Sequence, residues 1–195
     1  MPTPVLFVSR VLGGCLLAAS LTFASAQDAA PAKPAVGTQM TPAQVYGKLL
    51  DLMEKQFVSA AEAMPEEKFD FAPPAAAGDF KGVRSFSAEV KHVTEANYYF
   101  FGGASIPEAE MKTKSDAIEK LKTKAEILEA LKASFTQAHT FVDSITAENA
   151  FVMTSNGTRG GMAAFGIAHF MDHYGQMVEY LRMNGIVPPA SRGSM

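Results

Sequence analysis

The stretch Gly161–Asn184 reads GMAAFGIAHFMDHYGQMVEYLRMN and is predicted to form one long helix. Gly185 follows as a helix C-cap, and two prolines lie just beyond it. Two stripes run side by side along this helix. The first stripe is apolar and contains Phe170, Tyr174, Met177 and Leu181. The second keeps the same helical register with polar or amphipathic side chains, namely His169, His173, Gln176 and Tyr180. A core helix normally shows Lys and Glu at such positions, so the second stripe indicates a functional site.

The two histidines of the second stripe stand one helical turn apart. His169 and His173 are at positions i and i+4, which are neighbours on a helix surface, so both imidazoles can reach one metal ion. The alternative is that the two rings are only hydrogen-bonded within a half-buried helix face. The metal interpretation requires a third imidazole from another segment of the chain.

Two further histidines, His92 and His139, are available as the third ligand. His92 lies at the edge of the apolar stripe of its predicted helix, with Ala88 and Ala96 one turn away on either side, which leaves room for an ion. His139 lies closer to the apolar stripe of its own helix. Either can instead be an ordinary hydrogen-bonded histidine, and this interpretation is favoured more for His139.

Three more helices are predicted from apolar residues at three- and four-residue spacing. The first begins at Thr41-Pro42, a hydroxyl cap followed by proline at the first helical position. Its predicted buried stripe is Val45, Leu49, Leu52, Met53, Gln56, Phe57 and Ala60. The second helix is capped by Ser85 and ends at Gly102-Gly103, and its predicted stripe is Phe86, Val90, Val93, Asn97, Phe100 and Phe101. The third starts with the capping-box spacing of Thr123–Glu126, and its predicted stripe is Leu128, Leu131, Phe135, Ala138, Val142 and Ile145.

The segments between these helices are predicted to be loops. The loop of residues 66–82 contains Phe69 and Phe71, whose rings we expect to pack against the helices. Residues 103–122 form a polar, lysine-rich connection with a single helical turn near its end. Residues 149–161 are rich in small and polar residues, and no segment of the sequence alternates with period two for long enough to predict a strand.

Four helices with one apolar stripe each most simply bury those stripes against one another, which predicts an all-α four-helix bundle. We expect this domain to span residues 41–189. A flexible Ala/Pro-rich linker, residues 27–40, precedes it, and a disordered tail, residues 190–195, follows it.

The N-terminal segment, residues 1–26, has the pattern of a secretory signal peptide. Arg10 is its single charge, an apolar run follows, and the small residues Ala24-Ser25-Ala26 place the cleavage before Gln27. We therefore expect export to the periplasm or secretion. An uncleaved anchor is one alternative, although the apolar run is shorter than the about 20 residues of a membrane span. Lipoprotein processing at Cys15 is the other, although few apolar residues precede it.

Composition limits the classes of function. The 195 residues are 48% hydrophobic and 19% charged, which is ordinary for a globular protein and excludes intrinsic disorder. A net charge of −3 offers no basic excess to neutralise phosphates, so nucleic acid is not expected as a partner. The single cysteine lies in the predicted signal peptide, so the mature chain has no thiolate ligand or nucleophile.

Other metal and catalytic motifs fit less well. The segment His169–His173 lacks the glutamate of the zincin motif HExxH, and Asp172 faces away from the two histidines. Di-iron bundles need Glu-x-x-His pairs, whereas His92–Glu95 has the reverse order. The mature chain has no Gly-rich phosphate loop and no GxSxG elbow.

Several segments resemble a known family. Ile167–Gln176, together with Tyr180–Arg182 and Gly185–Pro189, resembles the last helix of the DinB/YfiT-like superfamily. Val90–Asn97, VKHVTEAN, resembles the histidine segment of that family's second helix. The first helix and the Phe69–Pro74 loop agree in placement, so the resemblance covers almost the whole predicted domain.

The resemblance implies a four-helix bundle with crossed rather than up-and-down connectivity. It also implies a divalent metal ion, zinc or nickel, held by one histidine of the second helix and two of the fourth, which by position are His92, His169 and His173. His139 has no place in that pattern. Some members of the family carry out thiol-dependent transfer or isomerisation, and most have no assigned activity. Export departs from the family's usual cytoplasmic setting and argues against a low-molecular-weight thiol as cosubstrate.

Two functions follow as hypotheses. The first is a metal-dependent hydrolase or transferase whose catalytic residues stay unassigned; Gln176, Tyr180, Asp172 and Glu95 are candidates for contacting the substrate or orienting a ligand histidine. The second is a non-catalytic, small-ligand-binding or stress-related bundle with a structural or vestigial metal. The expected partner is a small molecule, no stable membrane anchor is expected after signal cleavage, and a homodimer is left open.

Overall fold

A computed structural model describes residue 1, residues 33–102 and residues 106–193 of the chain. Within these ranges the chain forms five α-helices and one antiparallel hairpin of two short strands. The elements are α1 (Pro42–Ala63), α2 (Phe86–Gly102), α3 (Glu108–Glu119), α4 (Lys124–Asp143), β1 (Met153–Thr154), β2 (Gly157–Thr158) and α5 (Arg159–Met183). None of the described helices is long and apolar enough to span a membrane.

Several sequence predictions concern residues that the structure does not describe. The signal peptide with its cleavage site before Gln27, the alternative lipid attachment at Cys15 and the first part of the 27–40 linker lie outside the described residues. So do Gly103 and the last two residues of the predicted tail. The tail begins within a short 3-10 turn, Pro189–Ser191.

Polar side chains begin the main helices as predicted. The Thr41 hydroxyl accepts a hydrogen bond from the N–H of Gln44, and the Gln44 side chain accepts one from the N–H of Thr41 in return. Thr123 and Glu126 form the same reciprocal pair at the start of α4. The Ser85 hydroxyl accepts from the N–H of Ala88 at 3.3 Å and caps α2. These bonds satisfy backbone donors that a helix N-terminus leaves free.

The bundle is built from α1, α2, α4 and α5. Helix α2 packs against α4 and α5, and α1 packs against the same two helices. Successive helices of the bundle, α1 and α2, therefore lie diagonally across it, which agrees with the crossed connectivity implied by the family resemblance. The all-α fold is confirmed.

The predicted buried stripes agree with the structure for α2, α4 and α5 and are only partly correct for α1. Val45, Leu49 and Leu52 are 44%, 45% and 50% exposed. Met53, Phe57 and Ala60 are buried as predicted, and Leu50 and Ala61 complete the buried face of α1. Because α1 carries two overlapping apolar stripes, the spacing alone does not tell which of them faces the other helices.

Helix α3 corrects the prediction that residues 103–122 form a connection with a single helical turn. It has twelve residues, of which Ile118 alone is buried. The ion pair of Lys112 with Asp116, at 2.7 Å and i,i+4 spacing, supports it on the surface. Because the segment has so little apolar periodicity, its sequence predicted only one helical turn. The side chain of Lys91 in α2 donates a hydrogen bond to the carbonyl of Glu119, the last residue of α3, at 3.1 Å.

The predicted 149–161 loop contains the β1–β2 hairpin, in which Met153 pairs with Thr158 and Thr154 pairs with Gly157. Gly157 has φ +134°, a conformation that favours glycine. The Thr158 hydroxyl accepts from the N–H of Gly161, so α5 begins two residues earlier than predicted.

The aromatic loop before α2 packs as expected. The Phe69 ring meets the Phe86 ring edge-on at 5.5 Å, and Phe71 meets Tyr180 of α5 at 5.8 Å. The carbonyls of Phe71 and Phe69 accept from the N–H groups of Phe86 and Ser87, both at 2.8 Å. This loop therefore positions the start of α2 against α5.

Candidate metal centre

Three histidine rings meet between α2 and α5. Nε2 of His169 lies 3.2 Å from Nε2 of His92 and 3.0 Å from Nε2 of His173. One nitrogen from each ring can be chosen so that all three lie within 4.8 Å of one another. The structure thus brings together the three residues predicted as a ligand set, from segments 77 residues apart.

Close packing of α2 against α5 allows this meeting. Gly166 lies one turn before His169, and a Cβ atom at its position would come within 2.5 Å of the Phe101 ring and 3.2 Å of Phe100. Glycine therefore lets the α2 backbone and its aromatic side chains approach α5 closely at the level of the histidines. On α5 itself, one helical turn separates His169 from His173, and their ring centroids are 4.3 Å apart.

A buried carboxylate stands behind His173. Oε2 of Glu89 lies 2.6 Å from Nδ1 of His173, and the two residues are 2% and 5% exposed. Because a carboxylate accepts and does not donate, this contact favours the His173 tautomer with its proton on Nδ1, in which the Nε2 lone pair is free toward the other two rings. Metal-ligating histidines typically have such a carboxylate partner.

Glu89 was not among the site residues predicted from the sequence. It precedes His92 by three residues, so Glu89-Val90-Lys91-His92 is a Glu-x-x-His pair on one helix face. The structure shows that Glu89 contacts not His92 but His173 on the facing helix.

Burial keeps two of the histidines neutral. The pKa of His169 is lowered to about 4, first by burial and then by repulsion from the protonated forms of His173 and His92. The pKa of His92 is also lowered, first by burial and then by the positive charge of Arg84. Both imidazoles are therefore neutral at pH 7, which is the form that binds a metal ion.

The geometry fits a divalent metal ion. Tetrahedral zinc with Zn–N bonds of about 2.0–2.1 Å needs ligand nitrogens roughly 3.3 Å apart. Two of the three Nε2 separations, 3.0 and 3.2 Å, are close to that value, and all three ligand nitrogens lie within 4.8 Å of one another. The set of three imidazoles, one supported by a buried carboxylate, also matches zinc's preference for nitrogen ligands and would suit nickel.

The four residues predicted to contact the substrate or to orient a ligand histidine lie at different distances from the three histidines. Gln176 is near it, with Nε2 at 3.5 Å from Nδ1 of His173. The Tyr180 hydroxyl donates to the Arg84 carbonyl at 3.1 Å, so it ties α5 to the segment before α2. Asp172 is exposed. Glu95 lines a cavity beside the site together with His92.

His139 lies apart from this centre. Its Nε2 is 2.6 Å from Oε2 of Glu54, and the pair joins α4 to α1. It is therefore a hydrogen-bonded histidine of the bundle, and the interpretation favoured for it in the sequence is confirmed.

A cavity of about 870 Å³ adjoins the histidines between α2 and α3. From α2 its wall includes His92, Glu95, Ala96, Tyr98, Tyr99 and Phe100. Helix α3 contributes Glu108, Met111, Lys112, Lys114 and Ser115. The remaining lining residues are Ile106, Ser155, Asn156 and His169. Burial raises the pKa of the Glu95 carboxyl group in this wall. The cavity gives a small molecule access to His92 and His169.

Comparison with known proteins agrees with this architecture. A family model described as the DinB superfamily matches residues 49–177, a range that includes all three histidines. The search of curated proteins found no match.

Proposed function

Because the chain belongs to the DinB superfamily, we propose that it is an exported metalloprotein and a hydrolase or transferase. In this proposal His92, His169 and His173 hold one divalent metal ion, zinc or nickel. The observation that carries it is the cluster of three Nε2 atoms with Glu89 placed 2.6 Å behind His173.

The reaction class follows from the number of ligands. Zinc held by His92, His169 and His173 would supply Lewis-acid activation of a water molecule or of a substrate oxygen. His92 and His169 both line the cavity, so a substrate there reaches the ligand cluster directly. These features support hydrolysis or transfer at a carbonyl or phosphoryl group.

Other residues of the chain have supporting roles in this proposal. Glu89 orients His173 and adds negative charge behind it. Glu95 lines the same cavity wall as His92, and burial raises the pKa of its carboxyl group. We assign Glu95 to proton transfer with the bound substrate.

Elemental analysis of the purified chain tests the metal assignment. We expect about one zinc or nickel ion per chain, or uptake of one equivalent on titration. Hydrolysis of a panel of aryl esters, amides and phosphate esters is then compared for the metal-loaded and the chelator-treated protein. Absence of metal uptake would overturn the proposal, and uptake without any metal-dependent turnover would exclude hydrolysis of these substrates.

A ligand-binding bundle with a structural metal is the second candidate function, and the apolar walls of the cavity favour it. Thermal unfolding with and without chelator separates the two. A large loss of stability on metal removal indicates a structural ion. A small loss together with an exchangeable fourth ligand indicates chemistry at the site.

Export is proposed from the sequence of residues 1–26. The mass of the protein recovered from the periplasm or medium should correspond to a chain that starts at Gln27. Recovery of the full-length chain from the cytoplasm would overturn this part of the proposal and restore a thiol cosubstrate as an option.

A further inference from the structure

We propose that the cavity between α2 and α3 binds a small uncharged molecule that carries an aromatic ring and an N–H or O–H donor. This molecule defines the substrate class of the site, an assignment that rests on the proposed function. The cavity volume of about 870 Å³ is within the range of small-molecule sites, roughly 300–1,000 Å³.

An aromatic surface leads from the outer part of the cavity to the histidines. The Phe100 ring lies 5.3 Å from the half-exposed Tyr99 ring and 5.2 Å from the imidazole of His169, both in edge-on contact. Met111 of α3 lines the cavity as well. Aromatic rings favour such offset and edge-on neighbours, and thioethers pack well against them. A planar ring is therefore the best-matched occupant.

The charges of the wall disfavour an anion. The two lysines of α3 that line the cavity are paired with acids of their own helix, Lys112 with Asp116 at 2.7 Å and Lys114 with Glu110 at 3.6 Å. Lys114 also lies over the Tyr98 ring. Their charges are therefore partly satisfied, while the Glu95 carboxylate in the same wall repels a second negative charge.

Glu95 supplies the acceptor for a donor on the ligand. Its carboxyl group has Ser115 and Glu119 as neighbours, while its Oε1 atom is buried and makes no hydrogen bond within the described residues. Such an atom costs free energy unless it is paired, so a ligand N–H or O–H directed at it is favoured. Glu95 follows His92 by one helical turn, so a molecule bonded to Glu95 lies next to the metal ligand.

The test is displacement of the fluorescent probe N-phenyl-1-naphthylamine from the purified full chain at pH 7, with metal content measured on the same sample. The competitors are 1-naphthol, 1-methoxynaphthalene and 1-naphthoate, which share a ring system but differ in donor and charge. We expect naphthol to displace the probe at about tenfold lower concentration than methoxynaphthalene, the effect of one hydrogen bond to a charged acceptor. Naphthoate should need the highest concentration. Glu95→Leu should abolish the advantage of naphthol.

Two pairs of variants locate the binding. Ala96→Phe fills the cavity and should abolish probe binding, while Ala133→Phe, at an exposed position of α4, should leave it unchanged. Met111→Glu adds a carboxylate to the wall without changing the bundle core, and should weaken probe binding at least tenfold. Its control on the same helix is Ala117→Glu, at an exposed position outside the lining.

The outcomes separate this inference from the proposed function. A chain that takes up metal but does not bind the probe, or that prefers naphthoate, overturns this inference alone. Unchanged probe binding in both Ala96→Phe and Met111→Glu overturns it as well. A chain that binds the probe with the expected preference but takes up no metal overturns the proposed function and leaves the ligand class standing.

Discussion

Oε2 of Glu89 lies 2.6 Å from Nδ1 of His173, and this carboxylate belongs to α2 while the imidazole belongs to α5. The two residues are almost fully buried, so the contact is shielded from solvent and salt. It joins the two helices that carry the candidate ligands and directs Nε2 of His173 toward His169. Glu89 is therefore the residue whose removal best tests the site without removing a ligand.

The substitution Glu89→Gln should weaken zinc binding about 10- to 100-fold, the usual cost of losing a carboxylate behind a ligand histidine. Removal of the negative charge lowers the basicity of His173 and loosens its orientation. Competition titration against a chromophoric chelator measures the affinity. Glu179→Gln, an exposed change on α5, is the matched control and should bind zinc as the unaltered chain does. Equal affinities for the two variants would contradict the role of Glu89.

The substitution His169→Ala should reduce bound metal from about one ion per chain to none, because Nε2 of His169 is central to the cluster. His139→Ala is the control and should keep the metal. It should lower the free energy of unfolding by no more than about 1 kcal/mol, since the contact of His139 with Glu54 is partly exposed. Inductively coupled plasma analysis of both proteins provides the check. Loss of metal from the His139 variant would refute the assignment.

The metal-free protein should lose stability as the pH falls from about 6.5 toward 4. The pKa of His169 is lowered to about 4, so over this range the unfolded chain binds a proton that the folded chain does not. The free energy of unfolding therefore rises with pH there and levels off above 6.5. His169 is partly exposed, so the slope should be below the about 1.4 kcal/mol per pH unit of a full proton.

Urea unfolding of the chelated protein at several pH values measures this slope, and His169→Phe should reduce it. The lowered pKa of His92 acts in the same direction, so a residual slope is expected in that variant. A metal-free protein that becomes more stable on acidification over this range would show that the folded histidines are not kept neutral.

The substitution Gly166→Ala should destabilise the bundle and Gly175→Ala should stabilise it. A Cβ at Gly166 would lie 2.5 Å from the Phe101 ring, and such overpacking costs about 1–3 kcal/mol. Gly175 is on the same helix with no atom within 4 Å of the added Cβ, so alanine gains about 0.5–1 kcal/mol of helix propensity. Thermal unfolding of both variants gives the comparison. Equal stability would show that α2 and α5 do not approach as closely as the structure has them.

The local features of the chain could be predicted from its sequence alone. The caps at Thr41, Ser85 and Thr123 depend on residues three positions apart, and the stripes of α2, α4 and α5 depend on spacing within one helix. The neighbouring positions of His169 and His173 also depend only on their spacing within one helix. Periodicity and capping act over one or two helical turns, so the linear order of residues is enough to predict them.

Other features arise only when distant segments pack. The contact of Glu89 with His173 and the burial of the Leu50 face of α1 depend on which helices become neighbours. Helix α3 has one buried residue, and the cavity that it closes against α2 exists only between the two. Hydrophobic burial selects among overlapping apolar faces according to the partner each one meets, and charge contacts in the interior form across helices. The candidate ligands could therefore be named from the residues, whereas their supporting carboxylate and adjoining cavity required the packed bundle.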